Sequence, residues 1–329
     1  MYNLHLETSY FPAQIDTEIR DISVGGLLLE IACSHPDSIA MVDILEDGEC
    51  GQSWTYSDLA NQAKSLAQAL ASRFEPRERI VVWAPNIPEW IFMEYAAGLA
   101  GLVLVTANPS FQTAELRYVL DQSDAVGLFM IDEFRGNPMK EIANEATKGN
   151  TRLRETVNLH SKDTLFKIGD RPTLLPNVHP DDPAQIQYTS GTTGFPKGAV
   201  LSHKNLVNNA RLFCARKQVN QHSVWANFMP LFHTAGCATG ALGCLQAACK
   251  MLLIKRFDSD IFAQLIEEQK VTTCFAVPTM LFNLLESLEQ KPRDMSSLEV
   301  ITTGGAPVPP DLVRRVRDNL GCHLLSAFG

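Results

Sequence analysis

Residues 80–105 decide the fold, and they read IVVWAPNIPEWIFMEYAAGLAGLVLV. The run Ile80–Trp83 predicts a buried strand, and Pro88 opens an apolar stretch that predicts a helix as far as Ala100. A second apolar run, Leu102–Val105, predicts the next strand. A strand, a covering helix and a second strand in this order predict two parallel strands joined by a right-handed crossover.

The same alternation extends in both directions. Thr55–Arg73 carries a helical stripe of apolar residues, and Thr55 and Asp58 are placed to cap its start. Further helices are predicted at 113–122, 205–213, 258–269, from 278 and at 310–319, and strands at 125–131, 184–187, 224–228, 251–254, 272–276, 298–301 and 323–327. The sequence therefore predicts an α/β fold of two doubly wound, mainly parallel sheet subdomains. The first is expected over residues 1–183, with a surface excursion near 133–183 where the alternation is lost, and the second over 184–329.

The charge balance restricts the partners. The chain has 329 residues and a formal net charge of -9, so it lacks the broad basic surface that nucleic acid or an anionic membrane would need. The stretch Gly236–Ile254 is apolar and nearly long enough to span a bilayer, but Gln246 and Lys250 interrupt it. A helix packed on a sheet is the favoured interpretation, so no transmembrane segment is expected.

The cysteines and the N-terminus bear on location. None of the eight cysteines forms a C-x-x-C pair, and Cys237, Cys244 and Cys249 lack the spacing of a zinc site. Buried free thiols are expected, and no metal-ligand set is assigned. The start, MYNLHLET, has no basic region followed by an apolar core, so no signal peptide is indicated and a cytoplasmic protein is expected.

Residues 188–198 read YTSGTTGFPKG and predict a loop that holds polyphosphate. Its glycines let main-chain N–H groups approach an anion, its hydroxyls add donors, and Lys197 adds a mobile positive charge. The loop is not a Walker A motif, because Pro196 precedes the lysine and Gly198 follows it. The plainer alternative is a surface loop rich in small residues, but the ordered string is more specific than that.

That string, with the segments described next, resembles the adenylate-forming superfamily: acyl-CoA synthetases, aryl-CoA ligases such as 4-coumarate–CoA ligase, luciferases and peptide-synthetase adenylation domains. The resemblance extends over residues 20–329. It implies ATP, Mg²⁺ and CoA as cofactors and a small carboxylic acid as substrate. It also implies that Lys197 and Thr193 are catalytic and that the ATP phosphates are gripped by Thr189, Ser190, Gly191, Thr192, Thr193, Gly194 and Lys197.

A second segment, MPLFHTAG at residues 229–236, follows a predicted strand. A lone histidine is more often structural. The resemblance to the Pro-x-Phe-His segment of acyl- and aryl-CoA synthetases implies instead that His233 is catalytic and borders the acid, with Phe232 and Thr234 beside it. Amino-acid-activating relatives usually have an aspartate at this position. Its absence favours an acid without an α-amino group, since a buried ammonium without a counter-charge is costly.

A third segment, TGGAP at residues 303–307, would by itself be read as a tight turn. The resemblance implies that it binds adenine through Gly304, Gly305, Ala306 and Pro307. It further implies that Phe328 and Gly329 stack on the base, although the family mostly has tyrosine where Phe328 stands. Arg256 matches a basic position near the CoA phosphates in related ligases, and a solvated surface arginine is the equal alternative.

The resemblance implies a two-step reaction. The carboxylate attacks the α-phosphorus of ATP and releases pyrophosphate, and a thiol then displaces AMP, so no cysteine need act as a nucleophile. A fatty acid of medium length is favoured and an aryl acid is the rival. Because the family continues with a Thr-Glu pair, a ribose-binding aspartate and a small C-terminal domain, we expect a fragment with little complete activity. The alternatives are a non-catalytic nucleotide- or acyl-binding module and a P-loop phosphotransferase, which the failed Walker pattern disfavours.

Overall fold

The computed structural model describes residues 18–189 and 196–327. Thirteen strands lie in this part of the chain: β1 (Ile39–Ile44), β2 (Cys50–Thr55), β3 (Arg79–Trp83), β4 (Val103–Ala107), β5 (Gly127–Met130), β6 (Glu155–Asn158), β7 (Pro183–Thr189), β8 (Lys197–Ser202), β9 (Val224–Asn227), β10 (Lys250–Ile254), β11 (Thr273–Ala276), β12 (Val300–Gly304) and β13 (His323–Ala327).

Eleven α-helices and one π-helix, Ala235–Leu242, lie in the same described ranges. The α-helices are α1 (Val24–Ser34), α2 (Tyr56–Ala71), α3 (Pro88–Ala100), α4 (Thr113–Gln122), α5 (Met139–Ala146), α6 (Lys162–Leu165), α7 (His203–Lys217), α8 (Gly243–Ala247), α9 (Ser259–Gln269), α10 (Pro278–Gln290) and α11 (Pro310–Leu320).

The first sheet has six strands in the order β6-β5-β3-β4-β7-β8. Its neighbours run parallel, with Ile80 opposite both Leu104 and Gly127, except that β7 and β8 are antiparallel. The predicted unit at residues 80–105 is confirmed as β3, α3 and β4. Helix α3 begins at Pro88 and ends where Gly101 takes a φ of 68°, a left-handed conformation that glycine adopts without strain.

The second sheet has seven strands in the order β13-β12-β11-β9-β10-β1-β2, parallel except for the pair β1 and β2. The predicted boundary between residues 183 and 184 is therefore not a boundary between the sheets. Strands β1 and β2 precede it yet join the second sheet, with Met41 opposite Met251. Strands β7 and β8 follow this boundary in the sequence, except that β7 begins one residue before it, at Pro183. Both strands belong to the first sheet.

The predicted surface excursion near residues 133–183 is wrong in part. It contains α5, β6 and α6, and β6 extends the first sheet by pairing parallel with β5, Val157 opposite Phe129. The sequence does not predict β6, because it is a four-residue edge strand in which only Val157 is buried. Such a strand has no apolar run to mark it.

The core joins the two sheets. One buried apolar cluster takes residues from both of them and from the helices α1, α2, α3 and α7, and its largest fully buried members include Trp83, Trp90 and Trp225. A second cluster surrounds α9, α10 and α11. The predicted cap of α2 is present as a reciprocal pair, since Asp58 N donates to Thr55 Oγ1 and Thr55 N donates to Asp58 Oδ2, each at 3.0 Å.

The apolar stretch at residues 236–254 forms most of the π-helix, then α8 and β10, in agreement with the prediction of a helix packed on a sheet. None of the helices in the described part of the chain is both long and apolar enough to cross a lipid bilayer.

Candidate functional site

Strands β7 and β8 flank the predicted polyphosphate loop. They pair antiparallel with Thr189 opposite Lys197, and Thr189 Oγ1 lies 3.5 Å from the carbonyl oxygen of Lys197. The predicted loop at residues 188–198 is therefore shorter, because cross-strand bonding takes Tyr188 and Thr189 into β7 and Lys197 and Gly198 into β8. The Lys197 side chain is exposed, which leaves its ammonium available to a ligand.

Five predicted phosphate-binding residues lie outside the described residues: Ser190, Gly191, Thr192, Thr193 and Gly194. Their proposed contacts with phosphate stay predictions. The strand ends on either side are held by Tyr118 of α4. Its hydroxyl donates to the carbonyl oxygen of Pro196 at 2.9 Å, and its ring packs edge to face on Tyr188 with 6.3 Å between centroids.

His233 lies in the turn between β9 and the π-helix, with Phe232 and Thr234 on either side. Its Nδ1 accepts a hydrogen bond from the backbone N–H of Ala235 at 3.1 Å. The neutral ring therefore carries its proton on Nε2, which has no hydrogen-bond partner among the described residues. The residue is exposed overall, but partial burial of its ring lowers the pKa of His233 below the usual value. At neutral pH the side chain offers a free Nε2–H donor.

The π-helix after His233 requires two glycines. A Cβ on Gly236 would lie 2.2 Å from the carbonyl oxygen of Pro230, and a Cβ on Gly240 would lie 2.6 Å from Asn227 Oδ1. Asn227 is itself buried and donates from Nδ2 to the carbonyl oxygen of Gly236 at 3.1 Å. Only residues without a side chain allow this close approach. Single π-helical turns are frequent at functional sites.

Asn86, which the sequence analysis missed, holds the His233 segment from behind. It is 4% exposed, and its Nδ2 donates to the carbonyl oxygens of Met229 (3.0 Å) and Ile254 (3.1 Å). Its Oδ1 accepts from the backbone N–H of Leu231 at 2.9 Å. One side chain after β3 of the first sheet thus fixes the ends of two strands of the second. The available signal was an amide three residues after a predicted strand, inside an apolar stretch.

The predicted adenine segment begins inside a strand. Thr303 and Gly304 belong to β12, and a Cβ on Gly304 would lie 2.4 Å from the carbonyl oxygen of Ala327 in the adjacent β13. The turn starts at Gly305, which has a φ of 79° and needs the freedom of glycine. Gly305, Ala306 and Pro307 are exposed. Phe328 and Gly329 lie outside the described residues, so their contact with adenine stays a prediction.

Arg256 follows β10 and is exposed, and it has no hydrogen-bond or ion-pair partner in the described part of the chain. Its neighbour Lys255 is paired with Glu46 at 3.1 Å. Because β9, β10 and β12 run parallel, the His233 segment, Arg256 and the turn at Gly305 all follow strand ends at the same edge of the second sheet.

A cavity of about 320 Å³ adjoins the Asn86 region at this side of the molecule. Its walls include Asp43, Trp54, Glu89 and Lys255. Burial and the negative charge of Glu89 raise the pKa of Asp43. Those predicted site residues that the structure describes do not line this cavity.

The Mg²⁺ implied by the resemblance finds no ligand set in the described ranges, where no group of three or more His, Cys, Asp or Glu side chains could hold a metal ion. All eight cysteines are free thiols, six of them buried, as expected. Burial raises the pKa of the Cys237 thiol well above its usual range, which keeps it protonated.

Comparison with known proteins gives consistent relatives. The chain is 28% identical to the human medium-chain acyl-CoA ligase ACSF2, mitochondrial, over 98% of this chain and 57% of the relative. It is 30% identical to the medium-chain fatty-acid–CoA ligase of Escherichia coli strain K12, over 94% of this chain and 55% of the relative. The chain thus spans between about half and three fifths of the length of the curated relatives it matches.

Among solved structures, the N-terminal domain of FACL13 from Mycobacterium tuberculosis superposes with a TM-score of 0.81 at 24% identity, covering 93% of this chain and 75% of that one. This likeness confirms the predicted α/β fold. The sequence model of the family described as AMP-binding enzyme matches residues 29–329. Because that match covers most of the sequence, the chain belongs to the AMP-binding enzyme family.

Proposed function

We propose that the protein uses ATP to convert a carboxylic acid to an acyl-adenylate and transfers the acyl group to the thiol of CoA. A fatty acid of medium length is the favoured substrate, as in the two medium-chain ligases to which the chain is similar. The observation that carries the proposal is the edge of the second sheet, where the His233 segment and the turn at Gly305 follow parallel strands.

The adenylation step brings two anions together, so it needs charge neutralisation and alignment. In this proposal the exposed ammonium of Lys197 and the hydroxyls of Thr189 and Thr193 bind the ATP phosphates. The free Nε2–H of His233 donates a hydrogen bond to the acid, which orients one carboxylate oxygen toward the α-phosphorus. Adenine is bound by the turn from Gly304 to Pro307 with Phe328.

The second step is the attack of the CoA thiol on the acyl carbon, with AMP as the leaving group. Arg256 is proposed to bind a phosphate of CoA, because it is exposed and unpaired in the described part of the chain. The buried Cys237 is protonated and takes no covalent part. Mg²⁺ and a cytoplasmic location stay predictions of the sequence.

The direct experiment is acid-dependent exchange between ATP and pyrophosphate, measured with saturated fatty acids of increasing length and with benzoate and 4-coumarate. We expect exchange to be highest with medium-chain acids and to fall at least tenfold in Lys197→Ala, the effect of losing one charged contact. Lys148→Ala, at another exposed lysine, is the matched control. Higher exchange with the aryl acids would favour the aryl-CoA ligase, and formation of ADP instead of AMP would contradict adenylation.

A further inference from the structure

A chain of buried polar side chains connects the strand that leads into the phosphate loop with the His233 segment. Gln185 Nε2 donates to Glu94 Oε1 of α3 at 2.6 Å, and Gln187 Nε2 donates to Gln185 Oε1 at 2.9 Å. Gln187 Nε2 also lies 3.0 Å from Cys237 Sγ of the π-helix. The Cys237 thiol in turn lies 3.3 Å from the carbonyl oxygen of His233.

This series of hydrogen-bonded side chains runs from the first sheet to the second. Gln185 and Gln187 belong to β7 of the first sheet, whereas Cys237 and His233 follow β9 of the second. Glu94, Gln185 and Gln187 are at most 6% exposed, and Cys237 is fully buried. Polar groups buried this deeply keep the hydrogen-bond partners that they have, because water cannot replace a lost one.

Glu94 is the last member of this series of hydrogen-bonded side chains. Its Oε1 accepts from Gln185, and its Oε2 is buried without a hydrogen-bond partner among the described residues. Burial raises the pKa of Glu94 to about 8, so the side chain is a neutral carboxylic acid at neutral pH. The titratable groups that face it are Tyr95 and Cys237, and burial raises the pKa of each well above its usual value, so both are neutral as well.

We propose that Glu94 is a positioning residue, which acts through Gln185 and Gln187 to hold the phosphate-loop strand in register with the His233 segment. This inference rests on the proposed function, in which the loop binds the phosphates and His233 binds the acid. The phosphate loop and His233 belong to different sheets, and the reaction requires them to hold their substrates in a precise relative alignment. A chain of short hydrogen bonds through the interior supplies that alignment.

The role predicts a difference between two substitutions at one position. Glu94→Gln keeps a neutral side chain whose Oε1 can accept from Gln185, so it mimics the protonated acid. Glu94→Leu keeps the volume but removes the acceptor and leaves the Gln185 amide unpaired. Gln187→Met removes the link through Gln187 without touching α3 and leaves only the longer contact, 3.6 Å, between Cys237 Sγ and Gln185 Oε1. It serves if Glu94→Leu fails to fold.

The test is hydrogen exchange of the complete chain, expressed as protection factors, with ATP affinity measured by calorimetry on the same variants. We expect Glu94→Leu and Gln187→Met to lower the protection of the Thr189 and Cys237 amides about tenfold, the effect of one lost buried hydrogen bond. Protection in α11, which lies outside the chain of contacts, should not change. ATP affinity should fall by a similar factor, and Glu94→Gln should match the wild type in both measurements.

The pH dependence gives a second signature. Because the pKa of Glu94 is higher in the folded than in the unfolded chain, the folded protein holds an extra proton between pH 4.5 and about 8. The contribution of Glu94 to the free energy of unfolding therefore falls as the pH rises through that range and stays constant at higher pH. Glu94→Gln should lack this slope.

Several outcomes would overturn the positioning role. Equal loss of protection in α11 would indicate a general packing effect, and equal behaviour of Glu94→Gln and Glu94→Leu would show that the hydrogen bond does not matter. Loss of protection with unchanged ATP affinity would show that the chain does not serve the site. If the wild type binds no ATP, the proposed function fails, and the protection factors still decide whether Glu94 holds the two segments together.

Discussion

Removal of the Asn86 side chain should destabilise the protein strongly. Asn86→Ala deletes three hydrogen bonds and leaves the carbonyl oxygens of Met229 and Ile254 and the N–H of Leu231 without their partner in a site that is 4% exposed. A buried group left unsatisfied costs about 1–3 kcal/mol. With partial relaxation of the three groups, we expect the free energy of unfolding to fall by about 4 kcal/mol.

The assay is urea unfolding followed by circular dichroism and tryptophan fluorescence. Asn86→Asp is an informative second variant, because it keeps the acceptor for Leu231 but points a carboxylate at two carbonyl oxygens. We expect it to cost at least as much as Asn86→Ala at neutral pH, where a carboxylate is buried against two carbonyl oxygens, and less at acidic pH, where a protonated carboxyl can donate one hydrogen bond.

The matched control is Asn319→Ala, which removes an exposed asparagine that donates to the carbonyl oxygen of Arg315 at 2.9 Å. It should change the free energy of unfolding by less than about 0.5 kcal/mol. A loss below about 1 kcal/mol in Asn86→Ala would refute the reasoning, because it would mean that water or a local shift satisfies all three groups.

Three further predictions each concern one residue. Gly236→Ala places a Cβ 2.2 Å from the carbonyl oxygen of Pro230 and should cost about 3 kcal/mol in urea unfolding; an unchanged midpoint would contradict the packing. Gly304→Ala meets the carbonyl oxygen of Ala327 at 2.4 Å, and it should cost about 2 kcal/mol and weaken AMP binding in calorimetry, whereas wild-type values for both would refute this close contact. Burial lowers the pKa of Lys217 from 10.5 to about 8, so the unfolded chain holds the extra proton between these values and stability should rise by up to about 3 kcal/mol over that pH range. Unfolding of Lys217→Met at pH 7.5, 9 and 10.5 should lack this rise, and an equal rise in variant and wild type would contradict it.

The elements that the sequence predicted well are those whose pattern is local. Helix α3 was bounded correctly because Pro88 sets its start and Gly101 its end, and α4 was bounded correctly by its apolar stripe. The residues that set the limits of these two helices lie within the helices or next to them in the sequence.

The features that escaped prediction depend on distant partners. Strand β6 has one buried residue, and β1 joins the second sheet through a pairing with β10 about two hundred residues away along the chain. Asn86 and Glu94 are polar residues in apolar stretches, and their importance lies in the carbonyl and amide groups that folding brings to them. For the candidate site, the sequence predicted which segments carry chemistry, whereas the connections between those segments became visible only in the fold.

The most direct test of adenylation is the affinity of the protein for a stable acyl-adenylate mimic, a sulfamoyl adenosine that carries a decanoyl chain, compared with AMP. An enzyme that forms an acyl-adenylate binds that species far more tightly than its separate parts. We expect the mimic to bind at least about 100-fold more tightly than AMP, and we expect Lys197→Ala to leave this ratio largely intact because the mimic has no β- or γ-phosphate. Equal affinities for the mimic and for AMP, or no binding of either, would contradict the account.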